Sequence, residues 1–189
     1  MSGVPILETP RLVLRPPAEE DLEHFVALGA DPEVMRYIGG GKTQTRDEAA
    51  AWFDRHFRVG REGFPGYPGL PGCLVATTKA GGAWVGLAFL IPMNPVHAAA
   101  VQGGPFIEVG YRLARAHWGK GYATEAAAAL LCYGFVNLNL SLITAIAHAR
   151  NVASNRVIQK IGLLHRKTYK LDGLDIYFHS LAREEYRPG

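Results

Sequence analysis

Nine residues in the second half of the chain, Trp118 to Ala126, constrain the fold more than any other stretch. They read Trp-Gly-Lys-Gly-Tyr-Ala-Thr-Glu-Ala and stand between an apolar run, Phe106 to Leu113, and a long alanine-rich segment. Because helix N-termini present unpaired backbone N–H groups, glycines between a strand and a helix predict an anion site that would suit a phosphate. The helix is predicted because small and apolar residues recur at the spacing of one buried face: Ala123, Ala126, Ala127, Leu130, Leu131, Gly134 and Phe135.

The glycine pattern does not fit two common nucleotide-binding motifs. A P-loop requires Gly-x-x-x-x-Gly-Lys-Ser/Thr, but Arg36 occupies the first glycine position ahead of Gly41-Lys42-Thr43. The dinucleotide pattern Gly-x-Gly-x-x-Gly fails because Thr124 occupies its third glycine position. ATP, GTP and NAD are therefore disfavoured as ligands.

The composition predicts one soluble globular domain. A length of 189 residues suits a single core, and a net charge of +3 with scattered basic residues gives no reason to expect nucleic acid as a partner. The chain shows no apolar run of membrane-spanning length and no signal-peptide pattern, so we expect a cytoplasmic protein without a membrane partner. Cys132 falls within the apolar helix and is expected to be a core thiol, and the seven histidines lack metal-ligand spacing, so no metal is expected.

Four helices are predicted. One follows Pro16-Pro17, and a second begins at the capping box Thr45-Arg46-Asp47-Glu48. The long helix comes third, and a short helix lies between Asn151 as N-cap and Gly162 as the C′ glycine. Gly60 to Gly72 is expected to be a loop, and the polar and small stretch from Pro92 to Pro105 is expected to separate two strands.

Seven strands are predicted from alternating or continuous apolar runs. The last two are expected to form a hairpin around Asp172-Gly173. The mixed order of strands and helices indicates an α/β or α+β sandwich. The strands are Arg11 to Arg15, Cys73 to Thr78, Trp84 to Ile91, Phe106 to Leu113, Leu142 to Ala147, Leu163 to Leu171 and Leu174 to Ala182.

These segments, in this order, resemble the GNAT superfamily of acyl-CoA-dependent N-acyltransferases, and most of all the branch of the ribosomal-protein N-terminal acetyltransferases RimJ and RimL. The resemblance covers residues 7–183 as one domain and implies a mostly antiparallel, seven-stranded sheet with about four helices and a splayed central strand pair. Three motifs carry it: Glu8 to Arg15, Glu108 to Leu113 leading into Trp118 to Ala126, and Asn151 to Asn155 continuing to Lys160-Ile161-Gly162.

The resemblance implies acetyl-CoA as co-substrate. Gly121 and Ala123 match the small positions of the family's Gln/Arg-x-x-Gly-x-Gly/Ala loop, whereas Trp118 replaces its leading Gln or Arg. Backbone groups of this loop would bind the pyrophosphate, and the strand before it would pair with the pantetheine arm. The residues implied in cofactor binding are Val109, Tyr111, Leu113, Trp118, Gly119, Lys120, Gly121, Tyr122, Ala123, Thr124, Asn151 and Asn155.

Acetylation of an amine requires a base, because amines are mostly protonated near neutral pH. Glu108 is the first candidate, since it is a carboxylate in an otherwise apolar strand beside the expected gap. It could equally be a solvated strand residue or a partner for Arg112. Glu125 competes poorly as a base, because it resembles a structural carboxylate of the branch.

A general acid would protonate the departing thiolate. Many relatives place a tyrosine where this chain has Ile158, so the resemblance implies Ser154 as the substitute. A serine in the first turn of a helix is otherwise a local hydrogen-bonding residue. Tyr169 and Tyr177 are the alternatives.

The acceptor is expected to be a primary amine, either a protein N-terminus or a small molecule. The early helices, the loop from Gly60 to Gly72 and the stretch from Pro92 to Pro105 should shape its side of the site. Trp52, Phe64 and Tyr67 suggest a partly apolar or aromatic pocket there, although core packing also explains Trp52. No acidic cluster occurs there, so a polycation is disfavoured. A non-catalytic acyl-CoA sensor and a different phosphate-ligand enzyme remain alternatives, and both a monomer and a homodimer are open.

Overall fold

A computed structural model describes residues 4–187, with the backbone alone for residues 61 and 62. Within this range eight strands form one sheet in the order β1-β2-β3-β4-β5-β6-β8-β7. Only β5 and β6 pair in parallel, which confirms a mixed, mostly antiparallel α/β fold. The strands are β1 Leu7–Glu8, β2 Leu12–Arg15, β3 Gly72–Thr78, β4 Trp84–Pro92, β5 Ile107–Leu113, β6 Leu142–His148, β7 Leu164–Leu171 and β8 Leu174–Ala182.

Six α-helices accompany the sheet in the described range. The prediction of about four helices and seven strands was therefore too low, although each predicted strand is present. No helix in residues 4–187 is long and apolar enough to cross a membrane. The helices are α1 Leu22–Ala30, α2 Pro32–Met35, α3 Arg46–Glu62, α4 Pro95–Val101, α5 Tyr122–Cys132 and α6 Val152–Lys160.

The two helices missing from the prediction, α2 and α4, share one local signal. Asp31 caps α2 by accepting from the Glu33 N–H at 3.0 Å, and Asn94 caps α4 by accepting from the Val96 N–H at 2.9 Å. In both cases proline follows as the first helical residue, where its missing N–H costs nothing. The stretch from Pro92 to Pro105 does separate two strands, but it contains a helix that was not predicted.

Three further expectations are corrected. The extra strand β1 has only two residues, too few for an alternating pattern. Helix α3 continues through Gly60 to Glu62, so the connection begins at Gly63, whose φ is 82°. Cys132 is exposed at the last residue of α5 and is not a core thiol. Its position within an apolar segment was misleading because only one face of the helix meets the sheet.

The local turn and cap signals are confirmed. The Glu48 N–H donates to Thr45 Oγ1 at 3.2 Å, and the Thr45 N–H donates to Glu48 Oε2 at 2.8 Å, which completes the capping box of α3. Asp172 and Gly173 have φ angles of 48° and 78°, as a two-residue hairpin turn between β7 and β8 requires.

The sheet buries apolar side chains on both faces, but differently. On the face covered by α5 and α6, here called the α5 face, the core is one cluster that includes Val109, Leu130 and Ile158. On the opposite face, here called the α3 face, two separate clusters form. One lies between α1, α3, β3 and β4, and the other lies among α4, β7 and β8. Strand β5 lies between the strands that support these two clusters.

Gly110 on β5 has no room for a side chain. A Cβ added there would lie 2.1 Å from Cε2 of Phe89, its neighbour on β4. We expect Gly110→Ala to lower the free energy of unfolding by about 1–3 kcal/mol, because the ring must leave its rotamer or the strands must separate. Chemical denaturation measures this loss. The double variant with Phe89→Leu should recover part of it, and unchanged stability in Gly110→Ala would contradict the packing argument.

Candidate active site

The loop before α5 leaves backbone N–H groups open. Gly119 and Gly121 have φ angles of 74° and 81°, and Gly121 is the N-cap of α5 with no side chain capping the helix. A Cβ at Gly119 would meet nothing within 4 Å. The start of α5 therefore presents N–H groups without an intrahelical partner, with open space at Gly119 and the Arg11 guanidinium close to Gly121, which is suited to a phosphate group.

Glu125 fixes this loop to the start of the chain. Its carboxylate accepts hydrogen bonds from the Arg11 N–H at 2.8 Å, from Arg11 Nε at 2.7 Å and from the Thr9 hydroxyl. Arg11 also donates through Nη1 to the Lys120 carbonyl at 2.9 Å. Burial favours the neutral acid, but the hydrogen bonds from Thr9 and Arg11 outweigh it and hold the pKa of Glu125 below its ordinary value. Glu125 is therefore a positioning carboxylate, as its family likeness implied.

A gap opens between β5 and β6. The two strands pair at only one position among the described residues, Glu108 opposite Thr144. The Thr144 hydroxyl donates to the Ile107 carbonyl at 2.9 Å. On its other edge β5 pairs with β4 along its whole length. Beyond Glu108, the β6-facing edge of β5 has no strand partner among the described residues, so an extended ligand can pair with its backbone.

Alternation along β5 places its side chains on opposite faces of the sheet. Val109, Tyr111 and Leu113 belong to the α5-face cluster, whereas Glu108 and Arg112 point to the α3 face. Val109 and Leu113 are buried, so only their backbone groups can reach a ligand in the gap.

Glu108 is a half-buried carboxyl group. Burial raises its pKa to about 8, and no ion pair of the described residues includes it. Arg112 is therefore not its salt-bridge partner. The Cα atoms of residues four apart on a strand are separated by about 13 Å, which keeps the two charged groups apart. Because of the raised pKa, the carboxylate form of Glu108 becomes populated only as the pH rises towards 8.

Tyr169 and His97 form a hydrogen-bonded pair on the Glu108 face. The Tyr169 hydroxyl lies 2.5 Å from His97 Nδ1 of α4, and the tyrosine is buried. Burial, followed by the negative charge of Glu108, raises the pKa of Tyr169 to about 12. His97 was not among the predicted site residues because α4 itself was missed. Tyr177 lies on the other face, where its ring is 4.9 Å from the His165 ring.

Ser154 meets Tyr111 at the α5 side of the gap. The two hydroxyl oxygens lie 3.0 Å apart, and the Tyr111 hydroxyl is also 3.1 Å from the Ser154 carbonyl oxygen. Burial raises the pKa of Tyr111 to about 12, so its hydroxyl remains protonated. The sequence predicted Tyr111 only as a cofactor-binding residue, but the structure makes it the partner of Ser154.

Asn151 and Asn155 are arranged as cap and buried amide. Asn151 Oδ1 accepts from the Ser154 N–H at 3.1 Å, and Asn155 Nδ2 donates to the carbonyls of His148 and Asn151 at 3.1 and 2.9 Å. The amide oxygen of Asn155 is buried and has no hydrogen-bond partner among the described residues. A buried acceptor without a donor fits a ligand that carries amide N–H groups, as pantetheine does.

The remaining predicted residues are dispersed. Trp118 donates from Nε1 to the Leu113 carbonyl at 2.8 Å and is otherwise exposed, and Lys120 is exposed as well. Phe64 and Tyr67 pack against the α5-face cluster, so the structure does not bring them to the Glu108 face. Trp52 does lie on the Glu108 face, beneath the guanidinium of Arg112.

Comparison with known proteins identifies the family of this chain. The family model described as the acetyltransferase (GNAT) domain matches residues 11–164. The chain belongs to the GNAT acetyltransferase family. Uncharacterized N-acetyltransferase p20 of Bacillus licheniformis is 44% identical, covering 95% of this chain and 97% of that protein. FsC-acetyl coenzyme A-N(2)-transacetylase of Aspergillus fumigatus is 31% identical, covering 87% of this chain and 67% of that protein. As a GNAT protein, this chain is an acetyl-CoA-dependent acetyltransferase.

Solved structures share the GNAT fold. A GNAT-family acetyltransferase from Bacillus anthracis superposes with a TM-score of 0.78 at 22% identity, covering 95% of this chain and 99% of that one. Spermidine N-acetyltransferase from Vibrio cholerae, in complex with CoA and spermine, superposes with a TM-score of 0.69 at 21% identity, covering 92% of this chain and 96% of that one. RimL, a ribosomal L7/L12 α-N-protein acetyltransferase in complex with coenzyme A, superposes with a TM-score of 0.69 at 14% identity, covering 96% of this chain and 98% of that one.

Proposed function

We propose that this GNAT protein acetylates a primary amine, with Glu108 as the general base on the α3 face. Tyr111 and Ser154 would supply a proton to the departing thiolate on the α5 face. The observation that carries the proposal is the alternation of β5, which presents Glu108 and Tyr111 on opposite faces of the sheet beside one gap. Amine and coenzyme would then approach the gap from different sides.

Acetyl-CoA supplies the acetyl group as a thioester. We assign the pyrophosphate to the backbone of Trp118, Gly119, Lys120, Gly121, Tyr122, Ala123 and Thr124, where the uncapped helix start leaves donors free. The open edge of β5 from Val109 to Leu113 would pair with the pantetheine arm, and Asn151 and Asn155 would contact it near the thioester.

The proton transfers follow from the environments of the residues. Glu108 would remove a proton from the amine as its carboxylate form becomes populated. Backbone N–H groups on the free edge of β5 would stabilise the oxyanion of the tetrahedral intermediate. A thiol resembling cysteine has a pKa of about 8.5, so its thiolate is a tolerable leaving group and the proton from Ser154 and Tyr111 helps only modestly.

The acceptor within this reaction is a protein N-terminus or a small amine. RimL is named for the first class and the Vibrio cholerae enzyme for the second. The three motifs support a RimJ/RimL-like enzyme as part of this proposal. The proposal also includes one domain over residues 7–183, a cytoplasmic location and a monomeric or homodimeric state. The described residues contain no cluster of three metal-binding side chains, and the proposed steps use none.

Thiol release tests this proposal. The protein is incubated with acetyl-CoA and a panel of alkylamines, amino acids and N-terminal peptides, and free coenzyme A is measured with a thiol reagent. Turnover of any amine supports the proposal. Binding of coenzyme A without thiol release across the panel would favour a non-catalytic acyl-CoA sensor instead. Failure to bind coenzyme A would exclude both.

A further inference from the structure

Arg112 is a half-buried residue whose positive charge has no anionic partner among the described residues. Its Nε and Nη1 atoms are sealed from solvent and make no hydrogen bond within residues 4–187, and no ion pair there includes it. The Nη2 atom is not sealed in this way. Guanidinium groups only donate hydrogen bonds, so the buried N–H groups can be satisfied only by an acceptor.

Neighbouring groups do not compensate this charge. Burial, with the charges of Arg55 and Arg112, lowers the pKa of His56 to about 4, and burial raises the pKa of the Cys73 thiol to about 12. Both side chains are therefore neutral near pH 7. Asp21 is already paired with Arg15 at 2.7 Å. A buried unpaired charge is costly, and a bound anion would offset that cost.

The guanidinium is held in place by an aromatic ring. Its Cζ lies 4.6 Å from the centroid of the Trp52 ring on α3, and the Trp52 ring in turn lies 4.5 Å from the His56 ring. Stacking on tryptophan fixes the plane of the guanidinium, and Nη2, the nitrogen that is not sealed, is the one that a carboxylate can reach first. The side chain is thus oriented before any ligand arrives.

The floor between Arg112 and Glu108 is apolar. The two residues lie on the same face of β5, about 13 Å apart along the strand. Gly110 lies between them, and the ring of Phe89 covers it. A ligand that places its amine at Glu108 and an anionic group at Arg112 would cross this ring with an uncharged segment.

We infer that Arg112 binds the carboxylate of the acceptor, so that the amine substrate carries an anionic group at its far end, separated by an apolar spacer. This inference rests on the proposed function, because it takes Glu108 as the position of the reacting amine. A cationic far end, as in a polyamine, would be repelled by Arg112. The substrate class is therefore an extended amino acid or a short peptide with a free acidic group.

Matched acceptors that differ only in the far end test the inference. We would compare ω-aminohexanoate and ω-aminooctanoate with hexylamine and octylamine, and with hexamethylenediamine, through kcat/KM for thiol release. The wild-type protein should prefer the aminocarboxylates over the alkylamines by about 10- to 100-fold, the range for a charge-assisted hydrogen-bonded pair. It should use the diamine least.

Two variants assign the preference to Arg112. Arg112→Met keeps an apolar stem of similar length and should reduce the ratio of the two kcat/KM values to about one. Arg112→Lys keeps the charge but loses the planar fork, so its ratio should be intermediate. Equal use of both acceptor types by the wild-type protein would overturn the inference, as would a preference that persists in Arg112→Met.

A binding measurement separates this inference from the proposed function. Octanoate has no amine and is titrated calorimetrically into the wild-type protein and into Arg112→Met. Binding that is at least about 10-fold weaker in the variant supports the anion site, even if no amine is acetylated. If octanoate does not bind and no acceptor in the series turns over faster than the others, the anion site is refuted. Turnover of alkylamines alone would support the proposed function and refute the anion site at Arg112.

Discussion

Glu108→Gln is expected to lower turnover by roughly 10²- to 10⁴-fold, the usual contribution of a general base. Glutamine keeps the shape of the side chain but cannot take a proton from the amine. The affinity for coenzyme A should barely change, because Glu108 lies on the opposite face of the sheet from Tyr111 and the α5 start. Steady-state kinetics with any accepted amine measures the loss, and calorimetry measures coenzyme A binding.

The pH profile gives a second readout of the same change. Since burial raises the pKa of Glu108 to about 8, kcat/KM of the wild-type protein should rise with pH and level off above about 8. This rise should be lost in Glu108→Gln. Ser154→Ala is the comparison variant, and its smaller loss should leave the rise in place, because a thiolate can leave with help from water. Near-full activity of Glu108→Gln with an unaltered profile would place the base elsewhere.

Protein stability distinguishes a buried base from a solvated strand residue. The folded state holds the Glu108 proton more tightly than the unfolded state, so stability should decrease as the pH rises from the ordinary value of 4.5 to about 8. Above pH 8, Glu108→Gln should therefore be more stable than the wild-type protein, by at most about 5 kcal/mol. The gain should vanish below pH 4.5. Identical denaturation curves at pH 9 would indicate that the carboxylate is solvated.

Local signals in the sequence were sufficient for most of the fold. The capping box at Thr45, the hairpin at Asp172-Gly173 and the glycine start of α5 each depend on residues close together in the chain. Asp31-Pro32 and Asn94-Pro95 carried an equally local signal for α2 and α4, but their helices have only four and seven residues. So short a helix shows little of the apolar periodicity on which the other predictions depended.

The site required information that the sequence pattern does not contain. Glu108 was a candidate because a carboxylate is unusual in an apolar strand, but its raised pKa depends on burial by distant elements. The contact between Tyr111 and Ser154 joins residues 43 positions apart. His97 reaches Tyr169 across 72 positions. Such contacts depend on the pairing of β5, β6, β8 and β7, which no local pattern encodes.

Gly121→Val is expected to weaken coenzyme A binding by roughly 100-fold, because hydrogen bonds from the helix start to a charged group contribute about 1.5–3 kcal/mol each. Gly121 has a φ of 81°, which a β-branched residue adopts only with strain. A Cβ added at this N-cap would also lie 3.3 Å from Arg11 Nη2, so the guanidinium that pairs with Glu125 would have to shift. Calorimetric titration with coenzyme A measures the affinity.

Two control variants separate backbone geometry from charge and from strain. Lys120→Ala removes an exposed charge and should weaken binding only about 2- to 5-fold, since such charges contribute little in water. Gly173→Val introduces a similar strain at a φ of 78° in the β7–β8 turn, where a Cβ meets nothing within 4 Å. It should lower stability but leave coenzyme A affinity intact. Equal losses of affinity in Gly121→Val and Lys120→Ala would mean that the lysine charge, rather than the glycine-shaped helix start, binds the phosphates.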